Sequence, residues 1–357
     1  VFFLVVGAVF SYDSAQVLMW GLVAGSLCKV GTHLFGLRDK LRRFRPEFAV
    51  SHPAFKRFCW LALPLLAGIL MAKVRDEVNN IYLLSALDQS GLMQANSMGR
   101  KLQSTLLFLV PYTLSIAAFP FFCELVDKND HQKLGELVTR FGRMLLSVFA
   151  PFSLFVAVAA VPFTSLIFKG GHFDAVAVQR TAVSLACYTF VLPAAAIEAL
   201  VMQAFFANRR MLAVTLIGIL FSSLSILVSW VGLQVSGGRE LLLLAFIAGG
   251  FTLSRAFKCV TLVEMLKKNA PVFPFVETTA FMLRVGLAAG AASGASWLLL
   301  EQVPMIADLH GRLGDLLKLS VAGAAFGLVY LAAAYALRIG EVRELFALVW
   351  SKVRKQA

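Results

Sequence analysis

Long apolar stretches alternate with short polar ones along the whole chain. Crossing the hydrocarbon core as a helix takes about 20 mostly apolar residues. Nine stretches reach that length: 15–37, 58–87, 92–122, 144–168, 175–208, 211–235, 241–265, 278–300 and 316–337. Residues 1–10 are apolar but too short to span, and read as the back half of a spanning helix cut by the start of the sequence. The predicted fold class is an all-α integral membrane protein, a polytopic bundle of about ten transmembrane helices.

One span breaks the apolar rule. Lys73-Val-Arg-Asp-Glu77 puts four charges in five residues between the uncharged run 61–72 and the apolar run 81–87. A charge at the centre of a bilayer costs about 2.5–3.5 kcal/mol on insertion scales, so such residues face a bundle interior or a wet cavity. At about 100° per residue, Lys73, Asp76, Glu77 and Asn80 share one arc, while Arg75 and Asn79 lie on another face. The segment is therefore either a cavity-lining helix of a transporter or an internally paired cluster, Lys73 with Glu77 and Arg75 with Asp76 or a neighbouring helix. The next span opens with a second cationic stripe, Ser97, Arg100, Lys101 and Ser104, at helical spacing. Snorkelling of Arg100 and Lys101 into interfacial water is the competing explanation. Glu198 is the most isolated carboxylate inside a span. It is either a coupling-ion or proton site or the counter-ion of a basic helix.

Composition agrees with the span pattern. The chain has 357 residues, 59% hydrophobic and 15% charged, against about 25% charged in soluble domains. Thirty-one Phe against six Tyr suit a surface facing lipid. The net charge of +13 is accounted for by basic cytoplasmic loops, so no nucleic-acid partner is expected. Lys and Arg concentrate in segments 38–57, 124–143, 208–210, 266–272 and the tail, whereas the alternate loops carry only Lys169, Arg239 and Arg312. That separation puts the C-terminus in the cytoplasm. The block 38–45 reads as a topogenic loop, with anionic lipid headgroups as its other partner. Segment 124–143 is expected to be a short surface helix, and residues 338–357 a basic amphipathic tail on the membrane. The five cysteines and five histidines are scattered, with no CxxC, HxxxH or HExxH, so neither a disulfide frame nor a metal site is expected.

Several segments resemble the MurJ/MviN lipid II flippases of the multidrug/oligosaccharidyl-lipid/polysaccharide exporter superfamily. Leu63-Pro-Leu-Leu-Ala-Gly68, with Lys73 and Asn79 after it, resembles the start of the family's seventh helix. Arg100-Lys-Leu102 followed by Phe119-Pro120 resembles its eighth. The most specific likeness is Leu166-Ile-Phe-Lys-Gly-Gly-His-Phe-Asp174 with Gln179-Arg-Thr-Ala182 and Tyr188, similar to the loop between helices nine and ten. Gln203-Ala-Phe-Phe-Ala207 resembles the end of helix ten.

The resemblance implies a fourteen-helix fold of which this sequence holds helices five to fourteen. It implies two lobes around a cationic cavity for the pyrophosphate of a lipid-linked disaccharide-pentapeptide. It also implies a groove for the polyprenyl tail on helices thirteen and fourteen, here 278–300 and 316–337. The family's cavity arginine on helix eight corresponds to Lys101, with Arg100 in place of an acidic neighbour. A lysine there keeps the charge and loses the bidentate fork. The family's helix seven is less charged at its middle than Lys73–Glu77, and its Thr-Pro after helix ten is absent at 209–214.

The expected organisation is 1–57 as the end of an N-terminal lobe, 58–265 as a C-terminal lobe of six spans, and 266–357 as two groove helices and a basic tail. The expected function is a monomeric flippase of the bacterial inner membrane. It would carry a polyprenyl-pyrophosphate-linked glycolipid by alternating access, without chemistry on it and without a cofactor, driven by Na+, H+ or the membrane potential. Lys73, Arg75, Arg100 and Lys101 are the expected headgroup contacts, with Asp76, Glu77 and Glu198 as cavity acids or ion-coupling groups. The alternatives are a polysaccharide-lipid or cation-coupled drug exporter of the same superfamily, a non-transporting relative, and a membrane acyl- or glycosyltransferase. The last would need a clustered His/Asp site, which the scattered histidines do not supply.

Overall fold

The computed structural model describes residues 15–41, 52–87, 90–109, 111–170, 173–302 and 311–344. Segment 1–10, residues 42–51 of the basic block 38–57, His172, the loop 303–310 and the tail beyond residue 344 lie outside these residues. The regular elements described are helices, apart from one isolated bridge between Gly170 and Phe173 in the turn at 169–174.

The chain divides into two compact units, Val1–Cys59 and Trp60–Ala357. The first contains helix α1, Ala15–Leu41. Helix α2, Pro53–Glu77, begins in the first unit and continues in the second. It is followed there by a π-helical turn, Val78–Leu83. Then come α3 (Leu92–Leu109), α4 (Pro111–Asp127), α5 (His131–Val158) and α6 (Ala160–Phe168). They are followed by α7 (Ala175–Thr189), α8 (Val191–Ala207), α9 (Met211–Ser236) and α10 (Glu240–Lys267). The last two are α11 (Phe275–Gln302) and α12 (Gly311–Ala336).

In two of the expected spans the helix breaks four residues before a proline. Proline has no N–H to give the carbonyl four residues back. Pro162 coincides with the end of α5 at Val158, and Pro193 with the end of α7 at Thr189. Each proline then sits in the first turn of the next helix, where a missing N–H costs nothing. The second break bends α7 against α8 by 43°, so 175–208 is not one straight helix. Stretch 92–122 is likewise two helices, with α4 opening at Pro111. Pro151 lies inside α5 without ending it. The Ser147 carbonyl that it leaves free accepts instead from the Tyr330 hydroxyl of α12, at 2.5 Å.

Segment 124–143 is not a separate surface helix. Asp130 caps α5 by accepting from the Lys133 backbone N–H at 3.1 Å, and α5 runs on from there for 28 residues. Among the described residues, six helical stretches are long and apolar enough to span, or seven if the bent α7–α8 pair counts as one. That is fewer than the expected ten: segment 1–10 is outside the description, α1 is not among the stretches that qualify, and 92–122 is divided between two helices.

Helix α8 sits at the centre of the second unit. Val191, Leu192, Ala195, Ala196, Leu200, Val201 and Ala204 are all fully buried, covering its whole circumference. Such a helix has protein on every side. Helices α4, α5 and α10 pack against it, α9 packs on α10, α3 on α7, and α11 and α12 pack together beside α5 and α6. Helices α11 and α12 thus belong to the same unit as α3–α10. The outward residues are large and apolar: Trp60, Leu66, Ile69, Leu216, Leu283, Leu313 and Leu328 are each more than half exposed. Burial in water is not what holds such a surface together. Packing, small-residue contacts and internal hydrogen bonds do that in a bilayer.

Candidate functional site

The charged end of α2 is held in place by its own widened turn. A π-helical turn inside an α-helix often marks a functional position. Here it carries Asn79, buried, and Asn80, half-buried. The Asn80 Oδ1 accepts from Asn96 Nδ2 of α3 at 2.9 Å. Asn96 Oδ1 in turn accepts from Tyr188 at 3.0 Å and Ser184 at 3.2 Å, both on α7. Asn96 thereby ties three elements together through one side chain that is only 1% exposed.

Two ion-pair clusters lie beside the Phe251 ring, the first of them at the end of α2, one turn before Asn80. In the first, Asp76 Oδ1 receives Arg75 Nη2 at 2.8 Å and Arg100 Nη1 of α3 at 2.6 Å. In the second, Glu198 of α8 is clamped from α10, by Arg255 Nε on Oε2 at 2.6 Å and Lys258 Nζ on Oε1 at 2.8 Å. The Glu198 side chain is 2% exposed, while its two cations are 23% and 18% exposed. Tyr112 of α4 accepts from Arg255 Nη2 at 3.2 Å. The two clusters share a wall. The guanidinium carbons of Arg75, Arg100 and Arg255 stand 4.8, 4.9 and 5.7 Å from the centre of the Phe251 ring. An aromatic face is electron-rich and attracts a cation within about 6 Å, so one ring supports three like charges that would otherwise repel. Tyr188 packs edge-on against Phe251 with centroids 5.5 Å apart, which fixes the ring.

These groups face a cavity of about 300 Å³ between α2, α8, α9 and α10. Arg75, Arg100, Glu198, Arg255 and Lys258 line it, with Phe251. With Asp76 included, four cations meet two carboxylates, an excess of two positive charges. Chemically this is a partly wet pocket suited to a small, multiply charged anion.

Of the residues expected at the site, Arg75, Asp76, Arg100 and Glu198 are gathered here. Lys73, Glu77 and Lys101 are exposed and do not line this cavity. Helix geometry gives the reason. Lys73 and Arg75 are about 200° apart on α2, and Lys101 is about 100° from Arg100 on α3, so only one of each pair can turn to Phe251. No ion pair joins Lys73 to Glu77, whereas Arg75 and Asp76 do pair. Arg255, Lys258 and Phe251 were not anticipated as site residues. The signal was present: two cations three residues apart inside a span are as anomalous as those of α2.

Residues 1–307 match the family model described as MurJ, lipid II flippase MurJ. The chain belongs to the MurJ lipid II flippase family. A solved structure, "Lipid II flippase MurJ, inward closed conformation", is similar in fold with a TM-score of 0.62 at 15% identity. The likeness covers 87% of this chain, which spans 59% of the length of that one. No match is found among curated proteins. As a member of the MurJ family with at least six membrane-length helical stretches, this is a multi-pass membrane protein.

Proposed function

We propose that this chain belongs to a flippase that moves a lipid-linked peptidoglycan precursor across the bacterial inner membrane by alternating access. The observation that carries the reading is the cavity's excess of two positive charges among spanning helices. A pyrophosphate cannot cross hydrocarbon unaided, because an ion out of water costs many kcal/mol. Arg75, Arg100, Arg255 and Lys258 replace part of its hydration, while Asp76 and Glu198 keep the empty cavity from carrying four uncompensated charges. The cavity has room for the diphosphate alone, so the sugars and peptide extend beyond it. Exposed apolar residues of α11 and α12, among them Leu283, Leu287, Leu317 and Leu328, supply a face for the polyprenyl tail. Rocking of one lobe against the other transfers the headgroup between the two sides. The substrate leaves unchanged, so the protein is a transporter and not an enzyme, and the basic loops put its C-terminus in the cytoplasm.

The test is rescue of flippase-depleted bacteria by the full-length gene, together with translocation of labelled lipid II in vesicles containing the purified protein. Rescue and translocation are expected, with Arg100→Gln reducing both. Loss of neither function in Arg100→Gln would remove this cavity from the mechanism. Failure of the wild-type gene in both assays would remove the flippase reading.

A further inference from the structure

We propose that Arg255 and Lys258 form an anion subsite for one phosphate of the substrate, and that Glu198 is its resident counter-ion, displaced when that phosphate arrives. This rests on the flippase reading and deepens it. Each carboxylate oxygen of Glu198 is taken by a different cation, Oε2 by Arg255 and Oε1 by Lys258. The reverse does not hold. Lys258 has three N–H donors and uses one on Glu198. Arg255 has five and uses one on Glu198 and one on Tyr112. The donors left over lie on side chains that remain partly exposed, 23% and 18%, and line the cavity, while Glu198 reaches the same lining with a side chain only 2% exposed. The cations are thus held by an internal anion and presented to an external one.

The opposite wall repeats the arrangement. Asp76 satisfies Arg75 and Arg100 through the same oxygen, and both cations also reach the cavity. Phe251 contacts both sets of guanidinium groups, so the two cation pairs are neighbours across one ring. Two carboxylates, each held by two cations, match the two phosphate groups of a diphosphate. Binding is then an exchange of internal for external anions, and release is the reverse, with the carboxylates returning to their cations. A cavity built this way holds its cargo less tightly than four bare cations would, and a carrier needs that weakness in order to let go.

The test uses the purified full-length protein with undecaprenyl pyrophosphate, undecaprenyl monophosphate and inorganic pyrophosphate as probes, reading Kd and the thermal midpoint. Glu198→Gln removes the competing charge. It is expected to lower the midpoint without ligand, to bind undecaprenyl pyrophosphate about tenfold more tightly than wild type, as expected for removing one close competing charge, and to slow translocation. The added lipid is expected to raise the midpoint more in the variant than in wild type. The monophosphate lipid fills one cation pair and gains less, and inorganic pyrophosphate shows the same order as the lipid if the headgroup carries recognition. Equal affinity of wild type and Glu198→Gln for undecaprenyl pyrophosphate overturns the proposal and leaves the flippase reading intact. Lys258→Met, which keeps the Glu198–Arg255 pair, covers the case in which Glu198→Gln does not fold. Its affinity is expected to fall about tenfold, and unchanged affinity overturns the proposal. A wild-type protein that binds none of the three probes overturns both.

Discussion

Replacing Asn96 with leucine isolates what one buried amide does for this site. The two side chains are close in volume, so the change removes hydrogen bonds without opening a cavity. Asn96 Nδ2 donates to Asn80, and its Oδ1 accepts from Tyr188 and Ser184. Asn80 is half-buried and regains other partners. Ser184 is fully buried, but a helical serine can turn to the carbonyl of its own preceding turn. Tyr188 is 1% exposed, and its ring is held by Phe251, so its hydroxyl is stranded. A stranded buried hydroxyl costs about 1–3 kcal/mol, and each side-chain hydrogen bond inside a membrane protein is worth about 0.6 kcal/mol on average. Together these give about 2–3 kcal/mol. The assay is reversible unfolding of the purified full-length protein in mixed detergent. Adding Tyr188→Phe to the leucine variant removes the stranded hydroxyl and should recover about 1 kcal/mol, although Tyr188→Phe alone is destabilising. That reversal of sign is the diagnostic. A loss below about 0.5 kcal/mol for Asn96→Leu, or additive effects of the two changes, refutes the assignment of Asn96 as the joint between the π-helical turn, α3 and α7.

Other positions give shorter tests in the same assay. A Cβ built on Gly135 meets the Pro271 carbonyl oxygen at 2.5 Å and its carbon at 2.8 Å, both backbone atoms, so Gly135→Ala should cost about 1–3 kcal/mol. The same change at Gly25 meets nothing and should lie within about 0.5 kcal/mol of wild type. Arg180 reaches Glu240 with Nε and Nη2, and donates from Nη1 to the Ser90 carbonyl at 3.0 Å. Arg180→Lys keeps the charge and loses the fork, and should lower stability measurably where a neutral reading of the swap predicts no change. Asp130 lies outside the spans, and its carboxyl is held below the usual carboxylate range by the Lys133 ammonium and backbone N–H. A depressed folded pKa contributes stability above the unfolded value of about 3.9 that disappears as pH falls through the folded one. Asp130→Asn should therefore lose that contribution at neutral pH and match wild type at low pH, which flattens the acid limb of the stability curve.

Span boundaries were legible because apolar length is a strong signal, and they failed where a proline acted at a distance. Pro162 and Pro193 stand inside apolar runs that read as continuous, yet the helix stops four residues earlier, at Val158 and Thr189. Pro151 shows why no rule from sequence alone separates these outcomes. The carbonyl it frees, that of Ser147, is satisfied by a tyrosine 183 residues away, and the helix continues. Whether a proline ends a span or merely loosens it depends on a partner that the local sequence does not name. The mixed charges of 124–143 misled for a related reason: polar residues at the start of α5 looked like a linker, although Asp130 is an efficient cap for a helix that then enters the apolar layer.

The site was half legible for a geometric reason. Four charges in a span announce that something polar lies nearby, but the period of a helix divides them between two directions, and only the partner decides which direction matters. That partner is Phe251, an apolar residue in an apolar run, with no local mark to distinguish it from the thirty other phenylalanines. Once its ring is placed, the rest follows: Arg75 and Arg100 turn inward while Lys73 and Lys101 do not, Arg255 lies one turn further along α10, and Lys258 follows on the same face. Glu198 is then the one acid on α8 within reach of both. A charge-selective cavity in this protein is therefore organised around a neutral ring. Phe251→Leu, which keeps the burial and removes the electron-rich face, should weaken anion binding more than it weakens the fold, while Phe251→Trp restores binding wherever the larger ring fits. A leucine variant that binds undecaprenyl pyrophosphate like wild type would show that the three arginines keep their places without the ring.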